Sequence, residues 1–455
     1  MNWKTATELG LKPRRGGATG RALILALAAA CLWSRPATAV ARAVCAGPRV
    51  AYDYPLVLKG PPAVRGARVR GFAAYSRRAG VWRQVPTQVE EVNAQGDYVL
   101  ADGLPYTKNT DDGWFDANDE LVLDGADLGD DFTAVDVPAT LAGESGSWKV
   151  AFCRAGHLAG HLLITTGSTP RPWLGKSAVR FDQAQAEIRT ALYDYAFRKD
   201  HPALLGEVAL RHGKQSVPIL SASKFLMPLR TPFFFPDLTF RADDFTSRIE
   251  SWQSGPLRTI VAVGVEYRAF LSLYKLHLFS ELVFYRNRFA VPTVIEFVFD
   301  PSRYLEAGSG LAYSLKFASG QAFRVTSNLP ALPALPPDTA VQAALTRTAP
   351  SDFRVSGRGA SGAFLVDVHV GERARRLAPP PFLIDQQAFT AKAYQDAWPW
   401  LKELRGDLGL YLDFSRIPAG VYDFGLDLLL SPKADETFTD YGSVNTDWQA
   451  LPIHN

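Results

Sequence analysis

Nine acidic side chains and no basic one fall between Asp111 and Asp131, in the run DDGWFDANDELVLDGADLGDD. Like charges at that density repel one another unless water or a cation screens them. Asp116, Asn118 and Glu120 alternate as oxygen ligands alternate around a hard cation. Counted from Asp116, the donors Asn118, Glu120, the Val122 carbonyl, Asp124 and Asp127 fall at positions three, five, seven, nine and twelve of an EF-hand loop. Leu121, however, stands at the sixth position, where glycine makes the turn, and Asp127 is a shorter arm than the usual glutamate. The expectation is a calcium site at the front of the run, on Asp112, Asp116, Asn118 and Glu120. The alternative is a solvated turn whose aspartates cap their own backbone.

A second constellation gathers aromatic and charged residues: Arg258, Glu266, Tyr267, Arg268, Tyr274, His277, Glu281, Tyr285, Arg286 and Glu296. Rings stack on the C–H faces of sugars, and charged groups grip hydroxyls or uronate carboxylates. Tyr267, His277, Glu281 and Arg286 are the candidate catalytic set. A histidine and a tyrosine can act as base and acid in polysaccharide lyase chemistry, and paired carboxylates can hydrolyse a glycoside. The same composition also arises on any half-buried antiparallel sheet.

Other chemistries lack their residues. His157 and His161 have the spacing of two zinc ligands on a helix, but Leu158 stands where a metalloprotease needs glutamate, and Gly156 and Gly160 oppose a helix. A structural pair of histidines is expected there. No serine sits in a Gly-x-Ser-x-Gly elbow, and no glycine-rich phosphate loop follows a strand.

The elements that must position these groups are strands. Short alternating runs bounded by Gly, Pro, Asn and Asp dominate, and helical periodicity is scarce. Val64 to Phe72 and Gln84 to Glu90 alternate, and Leu162 to Thr165 reads as a buried strand. A turn at Gly255-Pro256 leads into a long apolar strand ending near Tyr267, and Leu271 to Arg288 reads as long paired strands. The fold class expected is all-β: antiparallel β-sandwiches in several domains, with few short helices. The boundaries are a leader over 1–39, an N-terminal β-rich domain over 40–170 and a central β-sandwich over 171–328. A proline-rich linker over 329–351 and a C-terminal β-rich segment over 352–455 follow. One helix is expected from Gln387 to Leu404, bent or ended early by Pro399.

The leader reads as an export signal. Lys4, Lys12, Arg14, Arg15 and Arg21 precede an apolar run from Ala22 to Trp33, and Ala37-Thr38-Ala39 is a cleavage site. The run is too short for a stable membrane anchor. Residues 1–39 hold six basic groups and one acid, so removing their +5 takes the chain from +3 to −2. No nucleic-acid partner is implied. Cys31 leaves with the leader, and Cys45 and Cys153 are expected to pair as a disulfide in the periplasm or outside the cell.

The turn Ser254-Gly255-Pro256-Leu257-Arg258, running into a long strand, resembles the super-sandwich of galactose-mutarotase-like and polysaccharide-lyase-like domains. That resemblance spans residues 173–324 and implies a fold, without assigning a catalytic residue. The function expected is an exported β-sandwich protein that binds or processes a glycan. The alternative is a non-enzymatic envelope or extracellular assembly protein whose partner is another protein. No transmembrane helix is expected after the leader is removed.

Overall fold

A computed structural model describes residues 2–3, 45, 49–94, 96–104, 112–142, 145–213, 215–230, 237–268, 275–297, 300–306, 308–317, 324–327, 353–373, 382–384, 403, 408–413, 415, 417–436, 438 and 445–451. The expected helix, apart from Glu403, and the proline-rich linker lie outside these residues. So does the leader, apart from Asn2–Trp3.

The described chain is all-β. Pro55–Lys59 (β1), Gln88–Glu90 (β2) and Glu120–Asp124 (β3) form a three-stranded sheet with β3 in the centre. Leu121 and Leu123 enter a core with Leu56, Phe72 and Phe115, while Val122 packs against Leu257 and Ile260 on the opposite side. With both faces covered, β3 has no solvent-facing row: Glu120 and Asp124, on the Val122 side, are turned against Arg258 and Arg286.

A second sheet of five strands completes this N-terminal unit, and its edge strand, Asn445–Ala450, comes from the far end of the chain. Two of its hairpins turn at Ala79-Gly80 and Ala155-Gly156, all four residues having positive φ. Paired positive φ values mark the turn type that matches strand twist. Cys45 is bonded to Cys153, with Cα atoms 5.5 Å apart across 108 residues of sequence.

The alternating stretch Val64 to Phe72 is not a strand. It folds into two short 3-10 turns, Pro62–Val64 and Val69–Gly71. Pro61 and Pro62 lack the N–H groups a ladder requires. Gly71 lies so close to Gly167 that an added Cβ would stand 1.9 Å from its carbonyl oxygen. Backbone approach, not side-chain alternation, decides this segment.

Two large sheets of ten and nine strands face each other beyond the N-terminal unit. In the larger, Arg258–Arg268 (β4), Lys275–Tyr285 (β5) and Arg288–Phe297 (β6) are followed in sequence by Phe353–Gly359 (β7), Gly362–Val370 (β8) and Gly420–Ser431 (β9). Across the sheet, β7, β8, β9 and β6 are neighbours in that order. Asn2–Trp3 lies between β6 and β5 where these two strands part. Strands from both sides of the linker therefore share one sheet. The core between the sheets is aromatic: Tyr195 and Phe197 of the smaller sheet meet Phe284 at ring distances of 4.9 and 5.8 Å. The first pair is tilted and the second edge-to-face, and rings at such spacings add to the burial of their own area. Among the described residues, no helix is long and apolar enough to cross a membrane.

Candidate functional site

The acidic run is bonded largely to its own surroundings. Asp112 Oδ1 accepts from the Trp114 N–H at 2.8 Å, and Asp116 Oδ1 from the Asn118 N–H at 3.1 Å. Asp119, buried, accepts from Val92 N at 2.9 Å and Asp116 N at 2.8 Å. Asn118 donates its amide to the carbonyls of Val92 and Asn93. Among the described residues, no group of three or more His, Cys, Asp or Glu is arranged to hold a metal.

Glu120 turns into the protein. Its Oε2 lies 2.8 Å from Arg258 Nη2 and 2.9 Å from the Tyr98 hydroxyl. Arg258 is completely buried and also reaches the Tyr285 hydroxyl at 2.9 Å and Glu90 at 3.5 Å. Gln88 closes the cluster, accepting from the backbone N–H groups of Leu257 and Arg258 at 2.9 Å each. Burial pushes the Glu90 carboxyl up, with Arg258 opposing it. Burial acts on Glu120 in the same direction, but Arg258 overrides it and holds that carboxyl below its ordinary value. Closed to solvent, this network fastens β2 and β3 to β4 and β5.

The sequence-derived catalytic set divides between places. Glu281 is buried, and its Oε1 accepts from the Tyr98 N–H at 3.0 Å. Arg286, in the turn after β5, pairs with Asp53 at 2.6 Å and Asp124 at 3.3 Å. In the register, Tyr267 is opposite Leu276 and His277 is opposite Glu266, and the side chains of Tyr267 and His277 lie outside the described parts. His161 is buried, 3.6 Å from Asp131, and burial keeps its imidazole less basic than usual.

A different cluster stands on the outer face of the larger sheet. Asp367 on β8 is opposite Asp427 on β9, and Arg354 on β7 is opposite Asp367. Directly opposite residues share a face, with Cβ atoms about 5 Å apart. The alternate residues Val366, Val368, Leu426 and Leu428 turn into the inter-sheet core. Asp427 is clamped by Arg288, with contacts at 2.7 and 3.0 Å, and its second oxygen lies 2.7 Å from His369 Nε2. Asp367 accepts from Arg354 at 3.4 Å.

Burial divides these groups into two kinds. The side chains of Asp367 and Asp427 are 4 and 5 % exposed, whereas that of His369 is 53 % exposed. An ionised carboxylate only accepts, so Asp427 places the proton on Nε2 and turns Nδ1 into the exchangeable position. That hydrogen bond raises the affinity of His369 for a proton. Burial acts to raise Asp427, but the His369 bond and Arg288 outweigh it and hold the carboxyl low. Burial raises Asp367, against the opposing charges of His369 and Arg354. Beside the imidazole, Gly425 bares the backbone: the nearest atoms to a Cβ built there are 3.7 Å away.

The sequence does carry a signal for this cluster. In Val366-Asp367-Val368-His369-Val370 an acid and a histidine occupy the polar row of a valine strand. Aromatic density drew attention to β4 and β5 instead.

No protein-family profile matches the chain, and no curated protein matches its sequence. Among solved structures it is similar to an alpha-mannosidase from Enterococcus faecalis V583, at 11% identity and a TM-score of 0.38, covering 89% of this chain and 41% of that one. It is also similar to a protein in the Glycosyl Hydrolase Family 38 from Enterococcus faecalis, at 9% identity and a TM-score of 0.36, covering 89% and 42%. The chain thus spans about two-fifths of the length of either, 41% and 42%.

Proposed function

We propose that the chain processes a glycan on the outer face of its larger sheet, by proton transfer through His369. The observation that carries this reading is a half-exposed imidazole fixed at 2.7 Å on a buried carboxylate that an arginine clamps from the other side. A histidine oriented in this way transfers protons near neutral pH, and such groups contribute about 10²–10⁴-fold to a rate. The sheet face, with Gly425 beside the imidazole, suits an extended ligand lying across strands. The Cys45–Cys153 bond suits a chain that works in an oxidising compartment, as the leader implies.

A glycan panel of neutral and uronate polysaccharides tests the reading by binding and by product. New reducing ends, or unsaturated sugars absorbing in the ultraviolet, are expected from at least one class. Equal binding by His369→Gln and the unaltered chain, with no product from either, would favour a purely adhesive role.

A further inference from the structure

We infer that Asp367 is a positioning residue that, with Asp427, keeps His369 in its protonated form, so that His369 donates a proton to the substrate rather than removing one. The inference rests on the glycan-processing reading and decides its direction: cleavage by protonation of a leaving oxygen, not by abstraction of a carbon-bound proton.

Register sets Asp367 directly opposite Asp427, so two carboxylates stand side by side. His369 is two residues beyond Asp367 on the same face of β8, with Nε2 on Asp427. The charged groups facing this imidazole are Asp427 from β9, Asp367 from its own strand, Arg288 from β6 and Arg354 from β7. From the N-terminal unit, Tyr52 interacts with Arg288. Arg288 is turned to Asp427 at 2.7 Å and Arg354 to Asp367 at 3.4 Å, so each cation is offset by its own carboxylate. What remains for the imidazole is a direct bond to one acid and the field of a second. Both favour the imidazolium.

Protonated, the ring donates Nε2–H to Asp427 and presents Nδ1–H outward. The proton on Nδ1 passes to the glycosidic oxygen as the carbon–oxygen bond breaks. Water then adds its oxygen to the anomeric carbon and releases one proton, which restores the imidazolium. A lyase would instead require the neutral ring as base. Asp367 touches neither substrate nor the transferred proton and acts only through His369.

Histidine NMR titration of the full chain tests this, with His369→Gln identifying its signal among seven histidines. The His369 midpoint is expected above the ordinary 6.5. Asp367→Asn should lower it, and Asp427→Asn, which also removes the direct hydrogen bond, should lower it further. Arg354→Gln, at a side chain 37 % exposed, should raise it, and it carries the test if Asp367→Asn does not fold. A midpoint at or below 6.5, or one that neither Asp367→Asn nor Arg354→Gln moves, overturns the inference. The titration needs no glycan. Failure here leaves glycan processing standing, and a raised midpoint in a chain that turns over no glycan removes the wider reading alone.

Discussion

Replacing Arg258 by methionine should loosen the junction between the N-terminal unit and the large sandwich. Arg258 has no solvent exposure and makes contacts of 2.8 Å to Glu120, 2.9 Å to the Tyr285 hydroxyl and 3.5 Å to Glu90. Methionine fills much of the same space but leaves two buried carboxylates facing each other, with the exposed Lys59, 3.5 Å from Glu120, as the one cation near them among the described residues. Removing one partner of a buried pair costs about 3–5 kcal/mol, most of it the penalty on the charge left behind. The loss should depend on pH. Without Arg258, Glu120 joins Glu90 in having a folded-state carboxyl raised by burial. The folded variant then binds more protons than the unfolded chain, so its stability rises as pH falls. Urea denaturation followed by tryptophan fluorescence should show the full deficit at pH 7.5 and a smaller one at pH 5. Adding Glu90→Gln and Glu120→Gln to Arg258→Met should recover much of it, because the charge left over, on Lys59, is exposed to water. A deficit below about 1 kcal/mol at pH 7.5, the same at both pH values, would refute the argument that this cluster is a closed, charge-matched fastener.

Changing both Cys45 and Cys153 to serine opens a link across 108 residues and should cost at most about 4.8 kcal/mol by the chain-entropy relation. Matched melts of the oxidised chain and the double variant measure it. For Asp427, held low, stability is present above its ordinary 3.8 and lost as pH falls through the folded value; for His369, held high, it is present below 6.5 and lost as pH rises through the folded value. The stability gap between the unaltered chain and Asp427→Asn should therefore be widest near pH 5.5 and narrower at pH 3 and 8.5, in urea midpoints at the three values. Ala155 holds φ at +46° ahead of Gly156, a strain of about 1 kcal/mol for an alanine. Ala155→Asn should stabilise the chain by about 0.5–1 kcal/mol, and an unchanged or lowered melting temperature would count against the turn assignment.

The strand content was legible where a strand is covered on one face and alternates, as Tyr193–Ala196 does, and where it is a continuous buried apolar run, as from Ile260 to Val263. Leu271 to Arg288 reads as paired strands from Val283-Phe284-Tyr285, although Leu271, Tyr274, Leu278 and Leu282 also fit a helical stripe, and its described part, from Lys275 on, is strand. Alternation misleads at Val64 to Phe72, where Pro61 and Pro62 just ahead of it and the contact of Gly71 with Gly167 impose turns. The acidic run shows a different limit. Its spacing reports many oxygen ligands, but Glu120 begins a buried strand and its partner Arg258 lies 138 residues away. No local pattern connects two such residues. The same holds for the outer-face cluster, in which Arg288 and Asp427 are 139 residues apart and meet only through the pairing of β6 with β9. The polar row of β8 could be read directly, but not which strand would supply its partner carboxylate.

Product release from a glycan by the full chain and by His369→Gln, measured side by side across pH, shows whether His369 carries the turnover. The fold of each protein is checked by its melting curve. The unaltered chain should release reducing ends, the substitution should lower the rate by about 10²-fold or more, and activity should fall as pH rises past the His369 midpoint. Release that survives His369→Gln undiminished in a folded protein would contradict that role for His369.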